Sequence, residues 1–521
     1  MVQTPSDVVA RERLGPLSSA VEVAATDLVA RDALHRLWTS DHTLWQDDPR
    51  EAADRLGWLA VADQMADQVD DLEAFAAAAA ADGLRHAVLL GMGGSSLFPE
   101  VLWRTFGARP GCLDLRVLDT TDPAAIARVA ADLDLDACLF VAASKSGTTI
   151  ETSSQLAHFW GLTGGDGRRF VAITDSHTEL ARLGRQRNFR RVFENRGDIG
   201  GRYSALSYFG LVPAALLGVD LTALLAGVAP AVGPTTGAEH PGGEHPALRL
   251  GAIIGAAALQ GRDKLTLVLP HEIGTFGLWL EQLVAESTGK DGTGIVPVTG
   301  EHLGRDKDYG DDRLFVSVGY RPGLDDLAAA GQPVVELAYQ NRLDLGGLVM
   351  VWEQAVALAG AVLGVNPFDQ PDVAAAKAAT AKVLEAGLPG IEPVPLTGLL
   401  DQIGPGDYLA LQAYVDPGDD ELLRGIHDAR MVLRDRLKVA TTLGIGPRYL
   451  HSTGQLHKGG PPSGVFVQVV GEDTDDVAIP GAGYGFSTLK QAQAAGDLLS
   501  LQERGLRAGR VKLSELLEVT A

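Results

Sequence analysis

The sequence predicts an α/β protein built from two doubly wound parallel-sheet units, with helical additions at the N- and C-terminal ends. Three observations carry that expectation. Short apolar runs at His86–Leu90, Leu113–Leu118, Ala137–Ala142 and Arg169–Ile173 each lead into a turn and an amphipathic segment, as in a parallel sheet with crossover helices. The same alternation resumes after a stretch at 233–246 crowded with Gly, Pro, Thr and His, a composition that reads as a linker or surface loop. The length, 521 residues, exceeds one ordinary core and suggests roughly two to four units. The expected divisions are a helical N-terminal extension at 1–50, a first sheet unit at 51–232, a second at 247–387, and a segment at 388–521 that completes the second unit and its site.

In chain order, Asp47-Asp48-Pro49 reads as a turn, and the Ala-rich stretch Glu51–Ala81 as one helix with apolar residues at helical spacing. The four runs above are strands, and Gly91–Ser96 and Ser144–Thr149 follow their strands at the carboxyl ends, where parallel sheets carry ligand loops. Beyond the linker come helix Leu248–Leu259, strand Lys264–Leu269, helix Leu278–Ser287, strands Leu314–Val318 and Pro333–Leu337, and helix Gly346–Leu363. The Pro-rich stretch Leu388–Leu396 marks a junction. Helix Asp419–Arg434, strand Val465–Val470 and helix Thr488–Arg504 follow it.

Composition narrows the partners. With 44 basic and 67 acidic residues the net charge is −23, which argues against nucleic acid or an anionic membrane. An anionic substrate must then be held by a local cluster of donors. No apolar run approaches the length of a membrane span, and residues 1–13 lack the apolar core of a secretory signal, so a cytoplasmic protein is expected. Two cysteines, Cys112 and Cys138, are too few for a disulfide framework or a zinc cluster and read as structural.

Five constellations carry chemistry. The first is the turn Gly91-Met92-Gly93-Gly94-Ser95-Ser96, whose glycines let backbone approach a ligand and whose serines add donors; a plain tight turn would use the same glycines. The second, Ser144-Lys145-Ser146-Gly147-Thr148-Thr149, opens a helix and gathers hydroxyls, an ammonium and free N–H groups, a seat for phosphate. It lacks the spacing of a nucleotide P-loop, so a phosphorylated small molecule is favoured. The third, Gly200-Gly201-Arg202-Tyr203-Ser204, places a guanidinium that can hold an oxyanion, or else a surface turn with a salt-bridged arginine.

The fourth centres on Glu286, near the carboxyl end of a helix that stops at Gly289, a position that disfavours an anion and suits a group that takes up a proton; Lys290 could instead neutralise it as a capping cation. Gln282, one turn earlier, shares its face. The fifth pairs Asn366-Pro367-Phe368-Asp369-Gln370, leading to Lys377, with His451-Ser452-Thr453-Gly454-Gln455-Leu456-His457-Lys458-Gly459. Lys377 alone, on an Ala-rich helix, reads as a solvated lysine. The two histidines fit no standard zinc spacing, which leaves acid–base work or loop hydrogen bonding.

Together these segments resemble the phosphoglucose isomerase family, whose members are built from two sugar-isomerase (SIS) domains; the likeness runs from about residue 85 to 505. The resemblance implies reversible conversion of glucose 6-phosphate and fructose 6-phosphate. On the family's pattern His451 and Lys377 assist ring opening, Glu286 moves a proton between C2 and C1, and Arg202 stabilises the enediolate. Gly94, Ser95, Ser144, Lys145, Ser146 and Thr149 hold the phosphate, and Gln282 contacts hydroxyls. It implies no metal or organic cofactor, and a homodimer in which the histidine crosses between subunits.

One departure stands out. In the usual order the histidine segment lies between the glutamate and lysine segments, whereas here it follows both. That order resembles the isomerase part of transaldolase–phosphoglucose isomerase fusion proteins, although the residues before 85 are too few for a transaldolase barrel. An isomerase that also accepts mannose 6-phosphate and a non-catalytic sugar-phosphate sensor are the alternatives. A glucosamine-6-phosphate synthase is disfavoured because no cysteine stands near the N-terminus to serve as its nucleophile.

Overall fold

The computed structural model describes residues 9–232 and 245–520, apart from the side chains of 373–377. The stretch expected as a linker thus lies almost wholly outside the described residues.

Three sheets organise the described chain. The first contains β2 (His86–Gly91), β3 (Asp114–Leu118), β4 (Cys138–Ala143), β5 (Phe170–Asp175) and β6 (Arg191–Asn195), in the order β3-β2-β4-β5-β6 and parallel throughout. Its central strands β2, β4 and β5 are apolar on both faces, and the alternation of side chains sorts them: Leu89, Leu139 and Val141 enter one core, while Val88, Leu90 and Phe140 enter another.

The second sheet has β1 (Val9–Arg13), β7 (Lys264–Val268), β8 (Val296–Val298), β9 (Arg313–Val318) and β10 (Val334–Leu337), in the order β1-β10-β9-β7-β8. Only β1 is antiparallel, so the N-terminal extension contributes an edge strand besides its helices Ser18–Ala30 and Ala33–Trp38. Leu265, Leu314 and Val335 share a core with the first sheet.

The third sheet, β11 (Tyr408–Tyr414), β12 (Ala440–Ile445), β13 (Gly464–Val470) and β14 (Arg507–Arg510), has the order β12-β11-β13-β14 and is parallel. Residues 388–521 therefore do not extend the second sheet; they build one of their own. One face of it buries Leu409, Leu411, Val465 and Val467 among themselves, and the other packs Tyr408, Ala410 and Phe466 against Ala285, Val296 and Leu456. That second face fixes the C-terminal unit against the end of the helix bearing Glu286.

Two further expectations change. The helix foreseen over Glu51–Ala81 is broken into a turn, a short 3-10 segment Gly57–Ala60, and helices Val61–Ala66 and Val69–Ala81. Tertiary contact overrides propensity: Leu56 bridges to Ile199, Gly57 N–H donates to the Asp198 carbonyl at 2.9 Å, and a Cβ at Gly57 would lie 2.3 Å from the Asp198 carboxylate. The second change concerns Arg342–Leu363, which is long and apolar enough to cross a membrane, although 89% of its most apolar stretch is buried here. Its part Leu345–Leu363 packs closely on helix Pro246–Leu259 because Gly251 and Gly255 leave no room between the helices; a Cβ on Gly251 would stand 2.7 Å from the Ala355 carbonyl. Cys138 sits inside β4, where burial pushes its thiol up to about 12, and Cys112 is also free, in keeping with structural roles.

Candidate active site

The helix Phe276–Thr288 carries Glu281, Gln282, Glu286 and Ser287 inward, all buried. It ends at Gly289, whose missing side chain admits the neighbouring unit: a Cβ there would lie 2.4 Å from Leu456 Cα. The helix terminus and the histidine segment are thereby pressed together.

Arg202, expected either as an anion clamp or as a surface arginine, is 2% exposed and ties three segments together. Its Nη1 lies 3.2 Å from Glu286 Oε1, and its Nε donates to Ser287 Oγ at 2.9 Å. Nη2 donates to the carbonyls of Pro367 at 2.7 Å and Asp369 at 2.9 Å, and Nη1 to Gln370 Oε1 at 3.4 Å. Lys290 does not neutralise Glu286. Its ammonium donates instead to the Asn366 carbonyl at 2.6 Å and to Asp369 Oδ1 at 2.5 Å, and burial with Arg202 nearby lowers it to about 8.

The glycine turn enters the same place. Gly94 lies so close to the arginine turn that a Cβ would be 1.9 Å from the Gly201 carbonyl. Gly93, at φ +55°, would meet the His451 carbonyl at 2.8 Å and Gln282 Nε2 at 3.0 Å. Gln282 donates through Nε2 to Glu286 Oε2 at 2.9 Å and to the His451 carbonyl at 2.8 Å, while its Oε1 is buried with no hydrogen-bond partner among the described residues. An acceptor left open beside a carboxylate and a histidine is placed to receive a ligand hydroxyl.

His451 reaches this cluster from the same chain. Its ring Nε2 stands 2.9 Å from Glu151 Oε1, which also accepts from Gln493 Nε2 at 2.6 Å. Within this chain His451 already meets Gln282 and Glu151, whereas the family's pattern implies a histidine that crosses between subunits. Gln455, in the same segment, bonds Gly289 O at 3.1 Å and Asp372 Oδ2 at 2.8 Å, joining it to the start of helix Pro371–Ala386. Lys377 lies on that helix; its side chain is outside the described residues.

The Ser144–Thr149 loop stands between β4 and helix Ile150–Leu162. Ser144 and Thr149 hydroxyls are 2.8 Å apart, Ser146 and Thr148 hydroxyls 3.0 Å, and Gly147 N–H donates to Ser144 Oγ at 3.1 Å. No side chain caps the helix start, so its first N–H groups face the loop. Lys145 pairs with Asp175 and donates to the Gly197 carbonyl at 3.0 Å, so an incoming anion competes with Asp175 for it. Ser95 is buried in the glycine turn. Glu151 follows the loop by two residues, which places loop and histidine side by side.

Sequence reasoning gave no role to Glu151, Ser287, Gln370, Gln455 or Gln493, although Gln370 and Gln455 stand in segments it singled out. Glu151 alone carried a usable signal, a carboxylate in the first turn of the helix the loop opens.

The model of the phosphoglucose isomerase family matches residues 48–296. A glucose-6-phosphate isomerase of Rubrobacter xylanophilus is 31% identical over 366 residues, 57% of this chain and 82% of that protein. The chain belongs to the phosphoglucose isomerase family. A glucose-6-phosphate isomerase of Citrifermentans bemidjiense is 30% identical over 62% of this chain and 72% of its own length. Among solved structures, a hypothetical protein from Thermus thermophilus has a TM-score of 0.61 at 26% identity, over 72% of this chain and the whole of that one. A glucose-6-phosphate isomerase from Chlamydia trachomatis shares the fold, with a TM-score of 0.51 at 21% identity over 68% of this chain and 78% of its own. The family match ends at residue 296, just past the Glu286 segment and before the region where segment order departs from the family's.

Proposed function

We propose that the chain is a glucose-6-phosphate isomerase, interconverting glucose 6-phosphate and fructose 6-phosphate through an enediolate. The observation that carries this reading is the meeting of Glu286, Arg202, Gln282 and His451 around the glycine turn.

The phosphate sits on Ser95, Ser144, Lys145, Ser146 and Thr149 at the start of helix Ile150–Leu162, with Gly94 giving backbone room. Remote binding there fixes the sugar against the acid–base groups. His451, oriented by Glu151, and Lys377 open the ring by proton transfer at the ring oxygen and the anomeric hydroxyl. Glu286 takes the proton from the carbon beside the carbonyl and returns it to the neighbouring carbon. Arg202 meets the charge that develops on oxygen, and losing one such donor typically raises the barrier by roughly 2.7–4 kcal/mol. Gln282 Oε1 accepts a substrate hydroxyl. Every proton moves between substrate and side chain, so no metal or organic cofactor is required. A pure sensor of sugar phosphates would have no use for a carboxylate and a guanidinium buried together beside a histidine.

The activity implies a cytoplasmic protein at work in glycolysis and gluconeogenesis. A homodimer, as the family implies, would place one whole site in each subunit, since His451 is supplied in cis. The test is turnover of fructose 6-phosphate by the purified chain, read as glucose 6-phosphate in a coupled assay with mannose 6-phosphate run in parallel. Formation of glucose 6-phosphate is expected; its absence from folded protein contradicts the reading, and turnover of mannose 6-phosphate broadens it.

A further inference from the structure

His451 belongs to a sheet of its own, 165 residues after Glu286 in sequence, yet it must stand against groups from the other two units. Something has to hold its turn there. The turn is the short segment Arg448–His451, with Arg448 at one end and His451 at the other.

Arg448 Nη2 donates to Asp119 Oδ1 at 2.7 Å. Asp119 follows β3 of the first sheet, is 2% exposed, and accepts through Oδ2 from Ser96 Oγ at 3.2 Å. Ser96 ends the glycine turn whose Gly93 abuts His451. Arg448, Asp119 and Ser96 thus form a bracket behind that turn. The neighbouring Ser452 lies close to Glu281 of the second unit, one residue from Gln282. Tyr449 anchors the turn from below, its hydroxyl donating to Asp497 Oδ2 at 2.6 Å. Of these attachments, Arg448 to Asp119 is the ionic one that joins the histidine turn to the first sheet.

We infer that Arg448 is a positioning residue, locking the C-terminal histidine turn onto Asp119 so that His451 faces Glu151 and the substrate within a single chain. The inference rests on the reading of His451 as a ring-opening group. It makes Asp119–Arg448 do within one chain what subunit contact does for a histidine that crosses between subunits. A salt bridge of this kind is directional and largely shielded, so loss of either partner frees the turn as well as removing a charge.

The experiment measures steady-state turnover of fructose 6-phosphate by Arg448→Met, Arg448→Lys, Asp119→Asn and His451→Ala, and by Arg448→Met combined with His451→Ala. Thermal melting and near-ultraviolet circular dichroism check folding. Arg448→Met and Asp119→Asn are expected to lower kcat about 10- to 100-fold with KM changed less than about threefold, and Arg448→Lys to recover most of the loss; these ranges span the effect of mispositioning an acid–base group. In the His451→Ala background, Arg448→Met should change turnover less than about twofold, as for residues acting as one unit. An equal loss in both backgrounds overturns the inference. So does a rise in KM with kcat intact, which would make Arg448 a direct substrate contact. If Arg448→Met does not fold, Asp119→Asn carries the same comparison. Full activity of His451→Ala would instead overturn the role given to His451, a distinct result from failure at Arg448.

Discussion

Arg202 and Glu286 lie side by side, Nη1 3.2 Å from Oε1, although the arginine follows the first sheet and the glutamate ends a helix of the second unit. The same guanidinium also holds two carbonyls of the Asn366–Gln370 segment, so one planar group fixes Glu286, that segment and the arginine turn. Arg202→Lys offers a point charge where a fork is needed. It is expected to lower kcat by about 10²- to 10³-fold. Steady-state kinetics read the catalytic loss. Denaturant unfolding should show a cost of about 3 kcal/mol if the buried pair is broken outright, and less if lysine still reaches Glu286.

His451 and Glu151 are expected to act as a unit, the carboxylate holding the ring through Nε2. Glu151→Gln and His451→Ala should each lower turnover, and the double variant should lose little more than His451→Ala alone. A double-mutant cycle on kcat measures this, and simple multiplication of the two losses would separate the residues.

Gly94 is required by space: its φ is not in the left-handed region, but a Cβ would stand 1.9 Å from the Gly201 carbonyl. Gly94→Ala must push the glycine turn away from Arg202. A stability loss of about 1–3 kcal/mol is expected from the overpacking, with a fall in kcat/KM; denaturant unfolding and the coupled assay report the two.

His457 gives the fold an acid limit. Its ring is buried beside Gln412, with Gln412 Nε2 3.2 Å from Nδ1, and burial, with Lys458 adding to it, lowers its pKa from 6.5 to about 3. Between those values the unfolded chain binds a proton that the folded chain refuses. The stabilisation is therefore complete above about pH 6.5 and is lost as pH falls, by up to about 1.4 kcal/mol per pH unit from this one group. His457→Gln should flatten that part of the profile, measured by denaturant unfolding from pH 7 to pH 4.

Much of this was legible in the sequence. The first sheet declared itself because β2, β4 and β5 are apolar on both faces and each runs into a glycine- or hydroxyl-rich turn. Arg202, Gln282, Glu286 and His451 could be singled out because each stands in a compact segment with distinctive neighbours. The third sheet was harder to see. β11 is an apolar run that does stand out once a strand is sought there, but β12 is rich in Thr and Gly, and β14, Arg507-Ala508-Gly509-Arg510, has no apolar pattern. The break in Glu51–Ala81 depends on Asp198, distant in sequence, and no local pattern announces it. Glu151 and Gln493 joined the site only when the topology brought them to His451, since neither lies in a spacing that implies its partner.

The proposed isomerisation turns on Glu286 as the group that carries the proton. The decisive measurement is coupled-assay turnover of fructose 6-phosphate by Glu286→Gln, with substrate binding followed by titration calorimetry. Glutamine keeps the shape and can still accept from Gln282 and Arg202, but it cannot take up the proton. Turnover is expected to fall at least ~10²-fold while the sugar phosphate still binds; turnover near that of the unaltered chain would contradict the assignment.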